Sequence, residues 1–201
     1  MMMFFSLAGV GMLAHAGNQQ EEAMSDSVRS VLVQSVTDSR PPKPYFSDMS
    51  DRLSYINWLG EMSFRLKKKI PDNQLRVEFL ETTWYEAKRA GLDPAMVLGL
   101  IQVESAFHKY ATSVVGARGL MQVMPFWSRV IGDRDPQRLF NMSTNLRYGC
   151  TILRFYLDTE KGNIFLALGR YNGSRGQAQY PNMVLAAWKK WEYQPALMAR
   201  N

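Results

Sequence analysis

The chain has 201 residues, 46% of them hydrophobic and 12% aromatic, which suits one well-packed domain and is too little for two large ones. Its formal charge of +6 admits an anionic partner, whether nucleic acid, acidic lipid or an anionic cell-wall polymer. The basic runs Lys67-Lys68-Lys69 and Lys189-Lys190 argue against nucleic acid: they fall where helices end, the helix dipole and solvation account for them, and no nucleic-acid motif accompanies them. The lone Cys150 excludes an internal disulfide. His15 and His108 are too far apart for metal-ligand spacing, so no metal and no cofactor is expected.

Residues 1–16 read as a signal peptide. The apolar run over 4–13 is too short to span a bilayer and Ala14-His15-Ala16 fits small-x-small cleavage, although no Lys or Arg precedes the run. Export to the periplasm or cell wall follows, with no stable membrane insertion after processing. No cysteine follows the run, so a lipoprotein anchor is not supported. Residues 17–48 are polar and end in Arg40-Pro41-Pro42-Lys43-Pro44, which predicts an extended, solvated tether. One folded domain is expected over 49–198.

Within that domain Ser50 is a good N-cap for a helix carrying Tyr55, Trp58, Leu59, Met62 and Leu66, which Pro71 stops. Asp72 or Asn73 caps a second helix with Val77, Leu80, Trp84 and Ala87 on one stripe, ended by Gly91. Asp93-Pro94 opens a third, with a cap and a proline at the first helical position. Residues 113–124 read as a glycine-containing loop in which a small hairpin is admissible, and Pro125 starts a short helix through Ile131. Leu146, Gly149, Leu153 and Leu157 mark the next helix. Residues 164–171 form another, ended by Asn172-Gly173, and Pro181 starts the last, with Val184, Ala187, Trp188 and Trp191. No alternating strand pattern of useful length and no internal repeat is present, so the class is all-α.

In the third helix Val97, Leu100, Ile101 and Glu104 fall at i, i+3, i+4 and i+7, one stripe of a 3.6-residue repeat. A carboxylate on an apolar stripe is desolvated, which raises its pKa toward what a general acid near neutral pH requires. The plain alternative is a helix-end Glu turned to solvent or paired with Arg or Lys. Gly119 permits close backbone approach, Gln122 offers an amide suited to hydroxyls and acetamides, and Tyr171 and Asn172 add a phenol and a second amide. Each also has a bland reading, as turn, surface amide or, for Met121, core filler.

Glu104-Ser105-Ala106-Phe107, then Gly116-Ala117-Arg118-Gly119-Leu120-Met121-Gln122-Val123-Met124-Pro125, then Asn145 and Gly149, then Tyr171-Asn172, resemble the ordered motifs of the soluble lytic transglycosylase family of lysozyme-like proteins. The resemblance covers residues 92–184. It implies a helical lysozyme-like domain with a glycan cleft, within the α+β lysozyme-like superfamily, that cleaves peptidoglycan between N-acetylmuramic acid and N-acetylglucosamine. Glu104 would be the sole catalytic acid and base. Ser105, Gly119, Met121 and Gln122 would line the cleft, Tyr171 would orient Glu104, Asn172 would contact the muramic acid N-acetyl group, and Tyr180 joins the substrate-binding set. Asn145 and Gly149 read as structural. Ring closure by the sugar's own hydroxymethyl oxygen would leave anhydromuramic acid ends.

Arg170 departs from the family pattern, which has a small residue before Tyr-Asn, and Arg175 makes the following turn more basic than usual. Turned inward, either guanidinium would stabilise ionised Glu104; turned outward, both could meet carboxylates of the stem peptides. His108, beyond the motif in a polar segment, reads as a plain polar residue rather than a proton partner. Two other readings stand beside the transglycosylase. A goose-lysozyme-like hydrolase would need a second carboxylate or a held water; Asp133, Asp135 and Asp158 are on hand but match no motif, and a catalytically inactive peptidoglycan-binding module would need neither. A monomer acting on glycan strands is expected, and a partner in secretion or cell-wall machinery would leave the chemistry unchanged.

Overall fold

The computed structural model describes residues 19, 21–37 and 46–193. Among them are eight α-helices: α1 Asp26–Thr37, α2 Met49–Leu66, α3 Asn73–Arg89, α4 Pro94–Ser105, α5 Phe126–Ile131, α6 Met142–Thr159, α7 Ile164–Asn172 and α8 Gln179–Trp191, with a 3-10 turn at Pro136–Phe140. The loop before α5 contains only isolated bridges, Thr112 with Arg118 and Arg118 with Val123. The expected signal peptide and the proline-rich run at 41–44 lie outside the described residues.

Capping residues set the helix starts. The Asp48, Asp72 and Asp93 carboxylates accept from Asp51 N at 2.8 Å, Leu75 N at 2.7 Å and Ala95 N at 2.8 Å, and Asn141 and Asn163 do the same for α6 and α7. Asp48 thus takes the role expected of Ser50. At the end of α3, Gly91 adopts φ +64°, and Leu92 N reaches back to Ala87 O at 2.8 Å. Helix α8 begins before Pro181, since a proline in a first turn lacks only an N–H that the helix does not use.

The single-stripe reading of α4 is too narrow. Ten of its twelve residues are buried, so it is the central helix of the core, packed between α3 and α8. Gly99 permits this: a Cβ there would lie 2.6 Å from Trp188 N and 2.9 Å from Trp188 Cα, so α8 crosses directly over it. Helix α6 packs on α3 and α7, and α2 packs on α3 through Trp58 and Trp84, whose rings lie 4.7 Å apart. Between α3 and α6 the fully buried Glu86 takes Arg147 at 2.6 Å and Arg89 at 2.8 Å. A carboxylate in that position is tolerable only because both cations reach it.

Residues 26–37 are not an extended tether. Val28, Leu32 and Val36 fall at i, i+4 and i+8, and this narrow stripe seats α1 on α5 and α6 with Leu32 buried. Ahead of the helix, Gln19 is buried as well: its Oε1 accepts from Trp127 Nε1 at 2.9 Å and its Nε2 donates to the Tyr171 carbonyl.

Candidate active site

Glu104 occupies the last turn of α4. Ala106 and Phe107 then both adopt left-handed backbone, φ 48° and 69°, so the chain leaves the helix axis at once and the carboxyl stays at its end. Phe107 fixes this exit by packing edge-on against Phe79 and Trp191. Glu104 itself is 8% exposed. Its Oε1 accepts a hydrogen bond from the Tyr180 hydroxyl, while Oε2 is buried with no partner among the described residues. Burial pushes the carboxyl up to about 8, with the Tyr180 hydrogen bond pulling the other way. The group therefore carries its proton at neutral pH.

The glycine-containing loop is bound to the core from beneath. Asn145 on α6 donates to Arg118 O and Leu139 O, both at 2.8 Å, and accepts from Met121 N at 2.8 Å. Tyr171 on α7 donates to Met121 O at 2.8 Å. Gly119, at φ +75°, has no room for a side chain because a Cβ would stand 2.4 Å from Asn145 Nδ2 and 2.6 Å from Leu139 O. The lack of a side chain there is thus required by the scaffold itself. Gly149 is similarly filled by the Met121 side chain, 2.3 Å from where its Cβ would be, and that side chain is fully buried. Met121 is core filler whose backbone is held at both ends.

The remaining expected residues sort by where their polar atoms go. Gln122, at φ 47°, spends its amide nitrogen on Ala111 O at 3.1 Å and Gly119 O at 2.9 Å. Ser105 turns its hydroxyl back onto Ile101 O. Asn172 donates to Ser174 Oγ at 2.9 Å, and its Oδ1 is buried without a partner among the described residues. The hydrogen bond to Glu104 comes from Tyr180, while Tyr171, expected to orient Glu104, donates its hydroxyl to Met121 O. Tyr171 stands close enough for the Glu104 charge to raise its hydroxyl further, beyond the effect of burial. His108 points to Ser105 O at 2.8 Å, not to Glu104.

Arg170 and Arg175 do not act on Glu104. Both close on Glu160, Arg175 at 2.7 Å, and Arg170 also holds Glu22 at 2.7 Å. Together they lower the Glu160 carboxyl to about 2. Both guanidiniums are thus compensated by the chain's own carboxylates, which removes the reason to assign them to stem peptides. Gln19 and Glu22, which tie the N-terminal segment to α7, were not legible as partners of this site. Among the described residues no three His, Cys, Asp or Glu side chains stand together in a way that could hold a metal ion.

The sequence model of the transglycosylase SLT domain matches residues 82–192, the span from α3 to the end of α8, and the chain belongs to that family. A transglycosylase of Enterobacteria phage PRD1 is 34% identical over 104 residues, 52% of this chain and 38% of that protein. Membrane-bound lytic murein transglycosylase C of Actinobacillus pleuropneumoniae serotype 5b (strain L20) is 41% identical over 80 residues, 36% of this chain and 22% of that one. Among solved structures, an inactive mutant of lytic transglycosylase Slt from Pseudomonas aeruginosa superposes with a TM-score of 0.51 at 26% identity, covering 70% of this chain and 29% of that one. In each case the matched part is well under half of the relative's own length. The helical, lysozyme-like fold expected from the sequence is the fold observed.

Proposed function

We propose that this chain is a lytic transglycosylase that cleaves peptidoglycan strands between N-acetylmuramic acid and N-acetylglucosamine and leaves anhydromuramic acid ends. The observation that carries the reading is one buried, protonated carboxyl, Glu104, held by the Tyr180 hydroxyl, with no second carboxylate among the described residues that act on it. Glu104 donates its proton to the glycosidic oxygen as the bond to the muramic anomeric carbon breaks. The substrate's acetamide stabilises the positive charge at that carbon. The Glu104 carboxylate then takes the proton of the muramic hydroxymethyl group, whose oxygen closes on the same carbon. Protons balance and no water is consumed.

The surrounding residues suit this cycle. Tyr180 keeps Oε1 occupied, so the unpartnered Oε2 is the oxygen that exchanges the proton, and the same hydrogen bond stabilises the carboxylate between the two steps. Asn172 Oδ1, buried and unpartnered, suits the N–H of an acetamide, and Gln122 would meet a sugar through its Oε1 because its nitrogen is engaged. The carboxylates a hydrolase would recruit are engaged elsewhere: Asp133 with Arg138, Asp135 as a cap on Gln137 N, Asp158 with Arg154. The solved relative is an inactive mutant in which a glutamine replaces a glutamate, which agrees with dependence on one carboxyl. Peptidoglycan as substrate requires export, which the apolar run at 4–13 would direct.

Glu104→Gln tests the assignment. The amide is nearly isosteric and keeps the Tyr180 contact but cannot supply a proton, so turnover of purified peptidoglycan should fall by about 10²–10⁴-fold with binding and melting temperature retained. Turnover within tenfold of wild type in the folded variant would remove Glu104 from the chemistry.

A further inference from the structure

Helix α2 carries apolar residues on two opposite faces. Tyr55, Trp58, Met62 and Leu66 are buried against the core, as a 3.6-residue repeat dictates. Met49, Leu53, Ile56 and Phe64 repeat at the same spacing on the other side and face solvent, 65%, 52%, 49% and 76% exposed. Gly60 continues this outer stripe with nothing within 4 Å of where its Cβ would be. From Met49 to Phe64 the stripe runs about 22 Å at 1.5 Å per residue. Burying such residues removes apolar surface from water, whereas leaving four in one row exposed is a standing cost.

The end of this stripe is where the fold concentrates positive charge. Lys67, Lys68 and Lys69 follow α2 directly and are exposed. Arg65 donates to Lys190 O at 3.0 Å and Glu192 O at 3.3 Å, which brings the end of α8, with exposed Lys189 and Lys190, beside them. Two basic runs more than a hundred residues apart in sequence thus share one corner of the molecule. None of the ion pairs among the described residues includes any of the five lysines. The acidic groups of α2 are already engaged, Asp48 by Asp51 N, Asp51 by Ser47 and Glu61 by Arg65.

We propose that this outer face of α2, with the five lysines at its end, is a docking surface for an anionic bilayer. Phe64, Ile56 and Leu53 would sit at the boundary between headgroups and acyl chains, and the lysines would meet lipid phosphates. Charge selects this occupant: a polybasic corner next to a shallow apolar stripe is the composition of peripheral helices on anionic lipid. A second copy of the chain fits less well, because four side chains fall far short of the roughly 20–30 residues a side of a stable protein interface. Among the described residues no helix is long and apolar enough to cross a membrane, so the contact is peripheral. The proposal does not depend on the catalytic reading.

The full chain is tested on vesicles of phosphatidylglycerol and phosphatidylethanolamine against vesicles of phosphatidylcholine alone. Cys150 is buried, so Phe64→Cys provides the accessible thiol for an environment-sensitive fluorophore, and Lys161→Cys in the turn after α6 provides the reference. On the anionic vesicles the label at 64 should shift to the blue and the label at 161 should not, whatever the N-terminal apolar run does. Lys67→Glu with Lys68→Glu, both on an exposed turn, should weaken binding by about tenfold or more and reduce its salt dependence. A label at 64 that stays in water, binding unchanged by the charge reversals, or a solution mass that doubles through α2 would each overturn the proposal.

Discussion

Glu104 and Tyr180 form the pair on which the proposed chemistry turns, and their hydrogen bond sets the direction of the pH response expected from it. The acid must be protonated to act and burial holds its pKa up to about 8, so kcat/KM should be level through neutral pH and fall as pH rises through about 8. Tyr180 stabilises the ionised form. Its loss in Tyr180→Phe therefore raises the Glu104 pKa further, and the alkaline limb should move to higher pH while kcat drops because the carboxylate between the two steps loses its donor. A profile measured on solubilised glycan checks both. An unmoved limb would mean that Tyr180 contributes packing alone.

At the scale of elements the site depends on how α6 and α7 hold the loop. Asn145→Ala would leave Met121 N, Arg118 O and Leu139 O without their buried partner, for a loss of about 3 kcal/mol in urea unfolding. Activity should fall along with stability, because the same loop receives the Tyr171 hydroxyl at Met121 O, and Tyr171 stands within reach of the Glu104 charge. Arg170 belongs to a different contact. It joins Glu22 to Glu160 across the N-terminal segment and α7, so Arg170→Ala should lower the melting temperature and reduce initial rates on peptide-bearing and peptide-free glycan equally. A selective loss on peptide-bearing strands would return Arg170 to the stem peptides and contradict its pairing with the chain's own carboxylates.

Across the whole molecule, local signals were the legible ones. Asp93-Pro94 at the start of α4 and Gly91 at the end of α3 act within a few residues, and the apolar neighbours of Glu104 sufficed to infer its burial. Contacts remote in sequence were not legible: Tyr180 lies 76 residues from Glu104 and Gln19 lies 152 from Tyr171, and no spacing rule reports such pairs. Helix α1 was missed because its stripe is only three residues wide in a polar segment, and tertiary packing rather than propensity decides such a helix. Gly119 was legible as a special position, but the packing that requires a glycine there was not, since the atoms it makes room for belong to Asn145 and Leu139, remote in sequence.

The central claim, one acid and base with no second carboxylate beside it among the described residues, has a direct chemical consequence. An attacking hydroxymethyl group held in the same sugar reaches a very high effective molarity and outcompetes water, so every new muramic acid end should be anhydro. Mass analysis of the fragments released from purified peptidoglycan reads this at once. The account predicts ends lighter by one water than their hydrolysed counterparts, with no reducing muramic acid formed. Predominantly reducing ends would contradict it and require a second catalytic group beside Glu104.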